Sequence, residues 1–287
     1  MGGSGPDFAC LEGERVALEN CSTLPIDPAA VAAASGIHVA GEELTGASGM
    51  LLRVGDNFAI VYNSSRSNIG FENFCIGHEL GHYFLRGHPE KVFDTNGKHR
   101  SRAGYLSKDP IEAEADRFAA GLLMPRKLFK AAVAHAGEGL EAIEKLASTC
   151  HASLTATALR YAELASERVA IVLSDAEKVL FCRMSRSFAQ YRGLTWLKRD
   201  APIPRRSVTA QLVGDPRRIV DRDRLSDVVD VADWFGGGSR VRLVEEVIGL
   251  GGYGKVLTVL TPETEPDDEA DEEERELEES WTPRFRR

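Results

Sequence analysis

Residues 74–88 read FCIGHELGHYFLRGH, three histidines and one glutamate in a stretch that is otherwise largely apolar. Extended back to Phe71, the positions Phe71, Phe74, Cys75, His78, His82 and Leu85 recur with the 3.6-residue period of a helix. They share one face, so both His78 and His82 point inward, and Gly87 and Pro89 are expected to end the helix.

Within this helix His78-Glu79-Leu80-Gly81-His82 fits H-E-x-x-H. Residues four apart lie one above the other, so two imidazoles can hold one cation. Glu79 is rotated away from that row, where it can reach a water on the metal and take its proton as general base. Inward histidines are often only hydrogen-bonded core residues, but here the pair sits on a strongly periodic apolar face amid further donors.

A catalytic zinc needs a third protein ligand, and His88 and Glu112 compete for the place. His88 stands ten residues after His78, as in the longer H-E-x-x-H-x-x-G-x-x-H pattern, but Leu85 occupies the position of that pattern's glycine. Glu112 follows the helix-start signature Asp109-Pro110 and is joined at i+4 by Asp116 on the same face. Either acid could bind the metal while the other orients a ligating imidazole through its free N–H. Glu112 could instead close a capping box with Asp109. Glu114 is a further acid nearby, turned about 200° from Glu112 on an ideal helix. On these residues alone Glu112 is favoured over His88.

Outward from the motif, PIDPAAVAAASG reads as a short helix from about Pro28, with a strand over 37–40. MLLRV and FAIVYN flank Gly55-Asp56-Asn57 and predict a hairpin over 49–63. FAIVYN is expected to be an edge strand. The polar stretch 89–107 reads as a long loop of the kind that serves function; His99 and Tyr105 within it are unranked candidates for stabilising an oxyanion. Helical patterns follow from Pro110 to about 164, and KLASTCHASLTATALRYAEL (145–164) resembles a helix-turn-helix without a dense basic face, so scaffold packing is its expected role. From VAIVL and KVLFC onward the pattern alternates, opening a second, mixed α/β unit.

Composition narrows the functional classes. Residues 263–287 hold twelve Asp or Glu against four Arg, while the remainder balances 32 acids against 31 bases. A nearly neutral body gives no field for sequence-independent nucleic-acid binding. Five scattered cysteines without a C-x-x-C suit a reducing compartment. No signal peptide or membrane-length apolar run is present in the sequence, so a cytoplasmic location is expected.

Through IVYN, FCIGHELGHYF, EAEADRFAAGLLMP and LASTCHASLTATALRY, and more weakly through PIPRRS and GGYGKVLTVL, the sequence resembles the ImmA/IrrE family of metallopeptidases. The resemblance implies an α+β protein. A flexible amino terminus (1–24) would precede a mainly helical metallopeptidase domain with a small β-sheet (25–165). A mixed α/β sensor-like domain (166–262) and an acidic disordered tail (263–287) would follow. It further implies His78, His82 and Glu112 as ligands of one divalent ion, zinc or alternatively manganese, with Glu79 as the catalytic acid/base and Asp116 supporting a ligating histidine. The substrate it implies is a helix-turn-helix repressor, whose cleavage derepresses stress-response or mobile-element genes. The competing expectations are a non-catalytic, metal-stabilised regulator that binds DNA or a repressor, and a hydrolase of small amides.

Overall fold

Local capping chemistry lays out the first part of the chain. The Asp27 carboxylate accepts hydrogen bonds from the amides of Ala29 and Ala30 ahead of Pro28, Asn68 accepts from the Phe71 amide, and Asp109 accepts from the Ile111 amide ahead of Pro110. Each satisfies donors that a helix start leaves free. The computed structural model describes residues 6–65, 68–101, 109–237 and 241–263. The chain divides into two compact units at residues 165 and 166.

In the first unit α1 (Pro6–Asn20) and α2 (Pro28–Ala34) precede β1 (His38–Glu42), β2 (Gly49–Val54) and β3 (Asn57–Asn63). α3 (Ile69–Phe84) carries the H-E-x-x-H motif, and α4 (Pro89–Val92) and β4 (Lys98–Ser101) follow. α5 (Pro110–Leu123), α6 (Arg126–Val133), α7 (Gly139–Cys150) and α8 (Leu154–Leu164) complete the unit.

α3 and α5 lie unusually close. A Cβ on Gly77 would stand 3.3 Å from the Ala119 side chain, and one on Gly81 would stand 3.0 Å from the Ala115 Cα. Small residues four apart on both helices thus face each other, which lets short carboxylate side chains on α5 reach the histidines of α3. The sheet runs β1-β3-β2-β4. Leu51 pairs with Ile60 on one side and with His99 on the other, so all three share the face that meets α3. Leu51 and Ile60 are fully buried there.

Three expectations change. The amino terminus is not flexible throughout: residues 6–20 form α1, packed on α5. Its backbone approach is as close as that of α3, with a Cβ on Gly121 meeting the Cys10 carbonyl oxygen at 2.1 Å. The Arg160 guanidinium reaches across to the Glu14 carboxylate and also donates to the Met124 carbonyl at 3.1 Å. A glycine and a buried ion pair from elsewhere in the chain leave no apolar period to read. The stretch 89–107 is not all loop, since it holds α4 and β4. FAIVYN, within β3, is not an edge: it pairs in parallel with β1 and antiparallel with β2. The edges are β1 and β4, because pairing distant in sequence put β1 outside the hairpin.

The second unit is built on a five-stranded, wholly antiparallel sheet in the order β6-β5-β9-β8-β7. Its strands are β5 (Ala170–Ser174), β6 (Val179–Met184), β7 (Arg224–Asp230), β8 (Arg242–Gly249) and β9 (Val256–Pro262). The short helices α9 (Val208–Val213), α10 (Pro216–Val220) and α11 (Val231–Phe235) accompany it. Val172, Phe188, Trp234, Phe235, Val247 and Leu260 belong to its core. The fully buried carboxylate of Glu245 accepts from the Thr209 amide at 2.8 Å and hydroxyl at 2.7 Å and from Trp234 Nε1 at 3.1 Å, which meets the cost of burying it. The architecture as a whole is α+β. No described helix is long and apolar enough to cross a membrane. The acidic stretch from 264 onward lies outside the described residues.

Candidate metal centre

α3 buries His78, Glu79 and His82 completely. Four residues apart on one face, the two imidazoles meet edge to face with ring centroids 4.8 Å apart and Nε2 atoms 3.1 Å apart. α5 brings up Glu112 from its first turn. Glu112 Oε2 lies 3.2 Å from His78 Nε2, and Oε1 lies 3.5 Å from His82 Nε2. The Glu112 carboxylate is thus turned to the histidines.

β4 contributes a fourth group. Its two-residue alternation turns His99 and Ser101 to the face shared with Leu51, and His99 Nε2 comes within 3.3 Å of Glu112 Oε1. Among the described residues, His78, His82, His99 and Glu112 each offer one ligand atom, all within 4.8 Å of one another, a set that could hold a metal ion. His88 is not part of it. The Nδ1 atom of His88 lies 3.1 Å from the Nδ1 atom of His82, on the side of that ring turned away from Glu112.

The outer nitrogens decide the protonation of the inner ones. His78 Nδ1 lies 2.8 Å from Asp116 Oδ1, and a carboxylate there fixes the proton on Nδ1. Nε2 is then the nitrogen left to a cation. Two imidazole nitrogens converging beside an anionic carboxylate are a donor set for a divalent cation, and two histidines with a carboxylate suit zinc.

Without a metal ion the same carboxylates hold a proton on each nitrogen of His78, and a bound cation would take the place of the proton on Nε2. Burial alone would lower His78, yet Asp116 and Glu112 together carry it up to about 10. Burial pushes His82 down to about 3 against the pull of Glu112. Burial opposes ionisation of Glu112 as well, and the neighbouring imidazoles of His78, His82 and His99 overcome this and hold the carboxyl far below the usual range. The cluster is a pocket of strongly stabilised negative charge facing imidazoles.

Glu79 stands outside the ligand cluster. Its Oε1 accepts a hydrogen bond from Ser101 Oγ, while its buried Oε2 has no hydrogen-bond partner among the described residues. Burial pushes its pKa up, mainly because a charge there is poorly solvated. The carboxylate fits only because residue 49 is glycine: a Cβ there would lie 2.6 Å from Oε1.

The fold brings His78, Glu79, His82, Glu112 and Asp116 into one neighbourhood. Tyr105 lies outside the described residues. His99, in sequence a candidate only for stabilising an oxyanion, enters the cluster itself, and Ser101 and Gly49 belong to no sequence motif. A four-residue polar strand carries no apolar period, so only pairing with β2 could have revealed that His99 and Ser101 face the site.

Residues 32–161 match the model of Peptidase_M78, the IrrE N-terminal-like domain. A solved structure described as a Mycobacterium tuberculosis transcriptional regulator is similar over 88% of this chain and 76% of its own, with a TM-score of 0.57 and 14% identity, which speaks to the fold alone. None of the curated proteins matches significantly. The matched region runs from within α2 to within α8 and contains every group of the cluster, so it is the segment 32–161 of this chain that is similar to the IrrE N-terminal-like domain of Peptidase_M78.

Proposed function

We propose that the protein is a metal-dependent endopeptidase that cleaves a helix-turn-helix repressor. The observation that carries the reading is the pairing of a converging donor cluster with a buried carboxylate, Glu79, whose Oε2 has no hydrogen-bond partner among the described residues. His78, His82 and Glu112 would hold one divalent ion, with zinc favoured by the donors and manganese the alternative. Such an ion supplies an acidified water and polarises the scissile carbonyl.

The chain's own groups do the rest. Asp116 holds the His78 imidazole in the tautomer whose Nε2 is free. Ser101 donates to Glu79 Oε1 and fixes the carboxylate, leaving Oε2 to take a proton from the attacking water and deliver it to the leaving amine. Its raised pKa makes Glu79 a stronger base than an exposed glutamate. His99, on the same strand face as Ser101, can contribute a fourth ligand or a hydrogen bond to the developing oxyanion.

The substrate backbone adds to β4, the sheet edge nearest the cluster, in place of β3, which the sheet has already paired on both sides. A repressor as substrate rests on the family resemblance, as does a sensor-like role for residues 166–262. The test is incubation of wild type and Glu79→Gln with helix-turn-helix repressors from the same genome. Fragments are identified by mass spectrometry and metal content is measured in parallel. Wild type should cut and the metal-loaded Gln variant should not; equal cutting by both refutes the mechanism. Full regulatory activity of Glu79→Gln would favour the non-catalytic regulator.

A further inference from the structure

The geometry points to His88 and Glu114 as a positioning pair that holds the His82 imidazole for metal binding, an inference that rests on the metal-site reading above. α3 ends at Phe84, and Gly87, at φ +86, turns the chain back so that His88 lies beneath the last turn, its amide bonded to the Leu85 carbonyl at 3.1 Å. His88 is only 3% exposed. Its Nδ1 meets His82 Nδ1 at 3.1 Å, and its Nε2 meets Glu114 Oε2 at 3.0 Å.

Only one arrangement of protons serves a metal at this place. His82 Nε2 faces the cluster and must be bare, so His82 carries its proton on Nδ1 and donates it to His88. His88 Nδ1 then accepts and must be bare, which puts the His88 proton on Nε2, where the Glu114 carboxylate accepts it. Every donor has one acceptor along the chain His82, His88, Glu114. The reverse arrangement would aim a proton from His82 Nε2 into the ligand cluster.

The result parallels Asp116 behind His78, with a neutral imidazole inserted as a spacer. Glu114 points away from Glu112 and Asp116 on α5, so it cannot reach a ligand directly, and His88 supplies the missing length. A ligating histidine held through its second nitrogen binds metal more tightly, typically by about 10–100-fold.

The test measures the zinc dissociation constant of the full-length protein by competition with a chromophoric chelator, together with the visible spectrum of the cobalt-substituted form. His88→Phe keeps ring volume but removes the acceptor, and should weaken zinc by about 10–100-fold and alter the cobalt spectrum. Glu114→Gln should weaken zinc in the same direction. His88→Gln, whose amide can accept from His82 and donate to Glu114, should restore much of the loss.

Because Glu114 acts through His88, His88→Phe combined with Glu114→Gln should bind zinc no more weakly than His88→Phe alone, whereas Asp116→Ala should add to either. A folded His88→Phe with wild-type zinc affinity and cobalt spectrum overturns the inference, as does full additivity of the His88 and Glu114 changes. Should His88→Phe not fold, Glu114→Gln decides, since that side chain is 22% exposed and its substitution leaves the core intact; unchanged zinc affinity in it is refuting. Failure of the wild-type protein itself to bind zinc would refute the metal site instead.

Discussion

Gly49→Ala tests whether Glu79 works from the position it occupies here. An added Cβ would stand 2.6 Å from Glu79 Oε1, where ordinary contact begins near 3.4 Å, so the two must separate by about 0.8 Å. β2 cannot retreat, because Gly49 pairs with Tyr62 on one side and with Ser101 on the other. The backbone accepts alanine, since Gly49 is not among the positive-φ glycines. The carboxylate therefore moves, and a misplacement of about 1 Å at a catalytic group costs on the order of 100-fold in rate.

That loss corresponds to about 2.7 kcal/mol of transition-state stabilisation. Overpacking costs about 1–3 kcal/mol, partly offset by about 0.5–1 kcal/mol from replacing glycine inside a strand. The variant should thus stay folded, and it should keep its metal because Glu79 lies outside the ligand cluster. The assay is turnover of a quenched-fluorescent peptide that the wild-type enzyme selects from a library, with metal content and urea unfolding measured on the same samples. A folded, metal-loaded Gly49→Ala with wild-type kcat would show that Glu79 does not act from this position.

Two further outcomes follow from the same structure. Glu79 must be ionised to accept a proton and burial raises its pKa, so activity should fall as pH drops through a value above the ordinary carboxylate range; an acid limb at or below that range in kcat against pH contradicts the assignment. Arg160→Met leaves the Glu14 carboxylate, with 11% of its side chain exposed, without its buried guanidinium partner, and breaking such a pair costs about 3–5 kcal/mol. Urea unfolding should register that loss, and a change below about 1 kcal/mol would mean that the Arg160–Glu14 pair does not stabilise the packing of α1.

Much of the site was legible because its parts lie close in sequence. His78 and His82 share a helix face through the period of the backbone, and Asp109-Pro110 announces the helix that presents Glu112 and Asp116. The resemblance joined the two helices, and the facing small residues Gly77, Gly81, Ala115 and Ala119 explain physically why they can approach. His88 has the spacing of a possible ligand and Gly87 the chemistry of a turn, and only the fold shows that the turn delivers His88 behind His82.

Local chemistry is written in the residues themselves: a helix with metal-ligand spacing, its capped partner, a hairpin, and a second unit of alternating strands. These follow from interactions between residues a few positions apart, which periodicity and capping record. Only the folded chain shows that α1 packs on α5 with its Glu14 held by Arg160, that β3 is central, and that the short polar strand β4 brings His99 and Ser101 to the cluster. Those outcomes depend on contacts between residues tens of positions apart, where a glycine, a guanidinium or one strand pairing outweighs any local pattern.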